Sequence, residues 1–74
     1  MPTIKDFGSF RLSIYFEDHN PPHVHVIARA FHALVAIEDA KIIRGDVPAP
    51  HRKRALKWIT EHRSELMNRW NDCQ

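Results

Sequence analysis

Hydrophobic and polar residues alternate strictly along Phe10-Arg11-Leu12-Ser13-Ile14-Tyr15-Phe16. A period of two puts Phe10, Leu12, Ile14 and Phe16 on one face and Arg11, Ser13 and Tyr15 on the other, the pattern of a half-buried strand. Glu17-Asp18-His19-Asn20-Pro21-Pro22 is polar, and its two prolines cannot donate to a sheet ladder, so it reads as a connection. Alternation resumes at His23, with Val24, Val26 and Ala28 on one face and His23, His25 and Ile27 on the opposite one. His32-Ala33-Leu34-Val35-Ala36-Ile37 is an apolar, partly β-branched run, and Glu38-Asp39 marks a turn into Lys41-Ile42-Ile43-Arg44. These segments predict strands over about 10–16, 23–29, 32–37 and 41–44, joined as an antiparallel meander.

The period then lengthens. Gly45-Asp46-Val47-Pro48-Ala49-Pro50 ends the strand pattern, and from about His51 to Asn71 the apolar residues fall at helical spacing. Ala55, Ile59, Leu66 and Trp70 form a stripe widened by Leu56 and Met67, although no Ser, Thr or Asn stands ready as an N-cap. At 1.5 Å per residue, one helix over 51–71 would reach about 30 Å, enough to cross a small sheet and cover the Phe10/Leu12/Ile14/Phe16 face. The predicted class is α+β: an antiparallel meander of about four strands with one long C-terminal helix packed on one face, residues 1–74 forming a single domain. Arg63 interrupts the helical stripe. Its stem either lies along the core with the head at the edge or its guanidinium pairs with an acid.

With 74 residues the chain buries a small core, so a homodimer or a permanent partner is expected. A hydrophobic content of 43% with 27% charged residues is globular rather than disordered. The lone Cys73 excludes an internal disulfide framework and fits a reducing compartment. No apolar run approaches the ~20 residues of a membrane span, and the first ten residues lack a signal-peptide pattern. A cytoplasmic location with no membrane partner is the expectation.

Net charge is +2, unevenly divided. Residues 1–40 hold three basic and five acidic groups (−2), and residues 41–74 hold eight basic and four acidic groups (+4). The excess is densest at Arg52, Lys53, Arg54 and Lys57. This patch suits nucleic acid or an acidic protein, or is a solvated helix face; Arg11 and Trp58 are further candidates for contacting a partner.

Six histidines stand out in so short a chain, and His19, His23 and His25 fall within seven positions. His23 and His25, two apart on one strand, project from the same face at about 6–7 Å. Three readings stay open. His19, His23 and His25, with Asp18 nearby, offer ligands that a divalent metal accepts. Alternatively, the histidines act without a cofactor as acid and base on a phosphodiester, with Arg11 or Arg63 holding the phosphate and Asp18 as orienting carboxylate. In the third reading they are structural, bonding backbone along a sheet edge.

Read whole, Tyr15-Phe16-Glu17-Asp18-His19-Asn20-Pro21-Pro22-His23-Val24-His25-Val26 resembles the signature of a small, mostly bacterial family known as domain of unknown function 4160. Met1-Pro2-Thr3-Ile4, Gly45-Asp46-Val47-Pro48, Trp58 through Leu66 and Trp70 extend the resemblance over most of the chain. The family's recurrent positions fall here on Asp18, His19, Pro21, Pro22, His23, His25, Trp58, His62 and Trp70. Ala28-Arg29-Ala30-Phe31 departs from it, because relatives often carry glycine there; without glycine a tight primed turn is disfavoured and a longer or differently registered hairpin is expected. The resemblance implies a toxin component of a type II toxin–antitoxin pair, neutralised by a small protein antitoxin related to domain of unknown function 2442. With that implication, the leading reading is a toxin acting on RNA through His19, His23 and His25. The alternatives are a non-enzymatic protein- or nucleic-acid-binding module of an operon regulator, and a histidine-based metal-binding protein.

Overall fold

The computed structural model describes residues 3–15 and 21–73. One five-stranded antiparallel sheet runs in chain order, β1 (Thr3–Asp6), β2 (Arg11–Ser13), β3 (His23–Ile27), β4 (His32–Ala36) and β5 (Ile42–Gly45). Two helices follow, α1 (Ala49–Glu61) and α2 (Arg63–Asp72). The α+β meander is as the alternation predicts. It differs by a fifth strand and by division of the helix.

The inner face is apolar because the register aligns the alternating residues of neighbouring strands. Leu12 stands opposite Val26, Val26 opposite Ala33, and Val24 opposite Val35. These residues join Phe10, Ile14, Ile37 and Val47 in a core closed by Ala55 and Ile59 of α1 and by Leu66 and Trp70 of α2. Ala55, Ile59, Leu66 and Trp70 of the predicted helical stripe are therefore buried, and the flanking Leu56 and Met67 are half-buried. Phe16 lies outside the described residues.

β1 escapes the pattern because Thr-Ile-Lys-Asp does not alternate; Ile4 alone is half-buried and its neighbours are exposed. The strand is held by backbone pairing with β2 and by the turn that follows. In that turn Gly8, at φ +92°, donates its N–H to Asp6 Oδ1 at 2.7 Å, and Phe7 stacks on Phe10 with ring centres 4.6 Å apart.

The β3–β4 connection is Ala28-Arg29-Ala30-Phe31, closed by Ala28 N–H donating to the Phe31 carbonyl at 2.9 Å. None of its residues has positive φ, so the missing glycine is answered by a four-residue loop instead of a primed two-residue turn.

The helical region opens on a proline and is broken at a histidine. Pro48 occupies the N-cap of α1 without a side-chain cap, and a proline at the helix start sacrifices no hydrogen bond where the N–H has no helical partner. The predicted single helix over 51–71 is corrected to two because His62 leaves helical geometry at φ −116°, ψ 27°. Its ring Nδ1–H donates to the Trp58 carbonyl at 2.9 Å, the same carbonyl that receives its backbone N–H at 3.0 Å. A side chain inserted into the ladder in this way kinks a helix. Arg63, first residue of α2, sends Nε–H to the Ile37 carbonyl at 3.0 Å. Arg63 is exposed, and this bond to a main-chain carbonyl ties α2 to the end of β4.

Candidate acid–base site on the open face of the sheet

With Leu12, Val24, Val26, Ala33 and Val35 turned inward, their neighbours point outward. The register arranges them in rows. Arg11 stands opposite Ile27, and Ile27 opposite His32. Ser13 stands opposite His25, His25 opposite Leu34, and Leu34 opposite Arg44. His23 faces Ala36. Histidines of β3 and β4 thus share a face flanked by arginines of β2 and β5.

His25 and His32 are diagonal neighbours on adjacent strands, within reach for long side chains. His25 Nδ1 lies 2.9 Å from His32 Nε2, a direct ring-to-ring hydrogen bond. Tyr15 meets the His25 ring edge-on at 4.2 Å, and the His23 ring is centred 5.2 Å away. Beside the pair opens a cleft of about 270 Å³, lined by His25, His32, Ala33, Leu34 and Arg44.

His23 is a different kind of histidine. It is 6% exposed, its Nδ1–H donates to the Pro21 carbonyl at 2.8 Å, and its ring lies 5.1 Å from that of Trp70. A carbonyl can only accept, so Nδ1 carries a proton and, in the neutral ring, Nε2 carries the lone pair. Ser13 is fully buried on the same row as His25, and its Oγ has no partner among the described residues.

The proton arithmetic of His25 and His32 decides what the pair can do. With both rings neutral, a single proton lies in the 2.9 Å bond between them. Whichever ring donates it holds a lone pair on its outer nitrogen, while the acceptor ring holds an N–H on its own outer nitrogen. The pair therefore offers one base and one acid at once. When the base nitrogen has taken a proton and the acid nitrogen has given one, transfer of the inner proton returns both rings to neutrality with the two roles exchanged.

Of the residues expected from the sequence, His23 and His25 are brought side by side, whereas Asp18 and His19 lie outside the described residues. Arg11 shares the histidine face. Arg52, Lys53 and Lys57 are exposed on α1, whose Ala55 and Ile59 pack against the inner face, so they do not join the histidines. The guanidinium of Arg54 lies over Phe7 at 5.2 Å and over Phe10 at 5.9 Å. Trp58 is half-buried, edge-on to Phe7 at 6.2 Å and stacked on His62 at 3.9 Å, which makes it a flank of the core. Arg63 is committed to Ile37, so of the two phosphate-holding arginines the sequence offers, Arg11 alone is on this face. For a metal, His23 and His25 supply two of the three expected ligands; no three His, Cys, Asp or Glu side chains among the described residues converge to hold an ion. His32 and Arg44 went unrecognised in the sequence, because their place opposite His25 and Leu34 depends on strand register.

The fold and this face define a small α+β domain with a histidine–arginine site on the open side of a meander. The family model described as domain of unknown function (DUF4160) matches residues 9–71, and the chain belongs to that family. Comparison with curated proteins and with solved structures yields no match. No helix among the described residues is long and apolar enough to cross a membrane.

Proposed function

We propose that this protein is the toxin of a toxin–antitoxin pair and cleaves RNA by metal-free acid–base chemistry at His25 and His32. The observation that carries the chemistry is the 2.9 Å His25–His32 bond at the mouth of a cleft walled by Arg44. The toxin role rests on the family resemblance. A ribose 2′-hydroxyl gives its proton to the outer nitrogen that holds the lone pair. The 2′-oxygen bonds to phosphorus, the phosphorus–5′-oxygen bond breaks, and the leaving oxygen takes the proton from the other ring's outer N–H. The inner proton crosses between the rings, leaving the pair in its opposite tautomer and the RNA with a 2′,3′-cyclic phosphate. Arg44 is placed to neutralise the non-bridging oxygens as charge builds on them. The exposed Arg52, Lys53 and Lys57 remain a surface for RNA or an acidic antitoxin.

The test is cleavage of a single-stranded RNA in EDTA, with DNA of the same sequence as the control lacking the 2′-hydroxyl. Expected are a cyclic phosphate product, no DNA cleavage, and growth arrest on expression that His25→Ala and His32→Ala both abolish. Because the two rings act as one relay, the double variant should lose no more rate than either single variant. Loss of cleavage in EDTA would transfer the site to the metal reading. Full activity of His32→Ala would end the relay.

A further inference from the structure

At the end of the sheet, beside this face, lies a second concavity that the cleavage chemistry leaves unused. At the β1–β2 turn the lining of a pocket of about 370 Å³ includes Arg11, Ile27 and Arg29, the apolar Phe10 and Ala28 and, as its one acid, Asp6. Arg11 comes from β2 and Arg29 from the β3–β4 loop, so two arginines line it from different elements. Asp6 is opposite Arg11 in the register, but its Oδ1 already accepts the Gly8 N–H at 2.7 Å. One carboxylate against two arginines leaves the pocket with an excess positive charge.

Its position relative to the histidines is fixed by pairing. Arg11, Ile27 and His32 form one row across three adjacent strands. At about 4.8 Å between strands, Arg11 and His32 are some 10 Å apart at the backbone. Ile27 lies between them as an apolar floor, half-buried. A cationic pocket, an apolar step and an acid–base pair in line suit a single-stranded nucleic acid, whose charged phosphates alternate with bases that have apolar faces.

We infer that the Arg11–Arg29 pocket is a second phosphate subsite, holding the RNA strand one step away from the phosphate that is cut, with the intervening base over Ile27. This rests on reading the face as an RNA site, and it makes the substrate a strand longer than a dinucleotide.

Binding can be measured apart from cleavage with 2′-O-methyl RNA, which lacks the attacking hydroxyl. Fluorescence anisotropy of a labelled hexanucleotide and dinucleotide, titrated at several salt concentrations, should show tighter, more salt-sensitive binding of the longer strand. Arg11→Ala/Arg29→Ala should bring the two affinities together and flatten the salt slope for the hexanucleotide by about 0.7, as expected when one phosphate is no longer neutralised. Lys41→Ala/Arg69→Ala, which removes equal charge elsewhere, should leave the length preference in place. Arg29→Glu alone, in an exposed loop, gives the same loss without touching a strand. Equal affinity for both strands in the wild type, or a length preference that survives in both arginine variants, would overturn the subsite. Length-dependent binding by a protein that cuts no unmodified RNA would refute the cleavage reading and support this one.

Discussion

Replacing Gly45 with alanine tests how closely β5 is held against β4. Gly45 has φ +76° and stands opposite Ala33 in the ladder. A Cβ there would press into the His32 carbonyl oxygen and lie 3.0 Å from the Ala33 Cα. Neither neighbour can turn aside as a side chain would. The left-handed backbone alone costs an L-residue about 1–2 kcal/mol. Relieving the clash means separating β5 from β4 at this pair, at about 1 kcal/mol for a weakened ladder hydrogen bond. Gly8 is the internal control: its φ is +92°, and a Cβ there meets nothing within 4 Å. Gly8→Ala therefore carries the backbone cost only, and any gain from stiffening the unfolded chain is common to both variants. A chain of 74 residues has a total stability of about 4–11 kcal/mol. Gly45→Ala should therefore lower Tm by about 10–20 °C, and Gly8→Ala by about half that, at 4–8 °C per kcal/mol. The assay is thermal unfolding followed by circular dichroism. Equal midpoints for the two variants would refute the close approach of β5 to β4.

Leu66→Ala removes a fully buried side chain at the centre of the helix–sheet packing and should cost about 2–5 kcal/mol in urea unfolding; the half-buried Met67→Ala should cost clearly less. Ser13→Ala removes a buried hydroxyl that has no partner among the described residues, so it should raise the urea midpoint, by about 1 kcal/mol in stability, where an ordinary buried serine would lower it. Arg63→Ala loses the Nε–H bond to the Ile37 carbonyl and should cost about 0.5–1 kcal/mol, read by the same unfolding, with faster amide exchange at the start of α2.

Side-chain period carried most of the fold. Phe10, Leu12 and Ile14, then Val24 and Val26, are buried where alternation puts them, and Ala55, Ile59, Leu66 and Trp70 where a helical stripe does. The misses share a cause: they are events of the backbone and not of hydrophobic pattern. β1 is an edge strand that buries almost no side chain, so its four residues hold no period to detect. The break at His62 leaves the stripe in phase, since seven residues separate Ile59 from Leu66, close to two helical turns. Neither proline nor glycine marks it; the signal is a histidine whose ring reaches back to the carbonyl four residues earlier.

The site divides along the same line. His23 and His25 are two apart on one strand, so their common face follows from the pleat without knowledge of any other strand. His32 becomes the partner of His25 only through the β3–β4 register, and that register is set by a loop whose length, in the absence of glycine, the sequence leaves open. A loop shortened by one residue that shifted this register by one would turn His32, Leu34 and Ala36 toward the core and Ala33 and Val35 toward the cleft, burying an imidazole among apolar side chains. Keeping His32 out of the core, with Ala33 and Val35 inside it, therefore selects the pairing that brings the two imidazoles to 2.9 Å. The packing that stabilises the sheet and the geometry that lets two rings share a proton are one and the same choice of register.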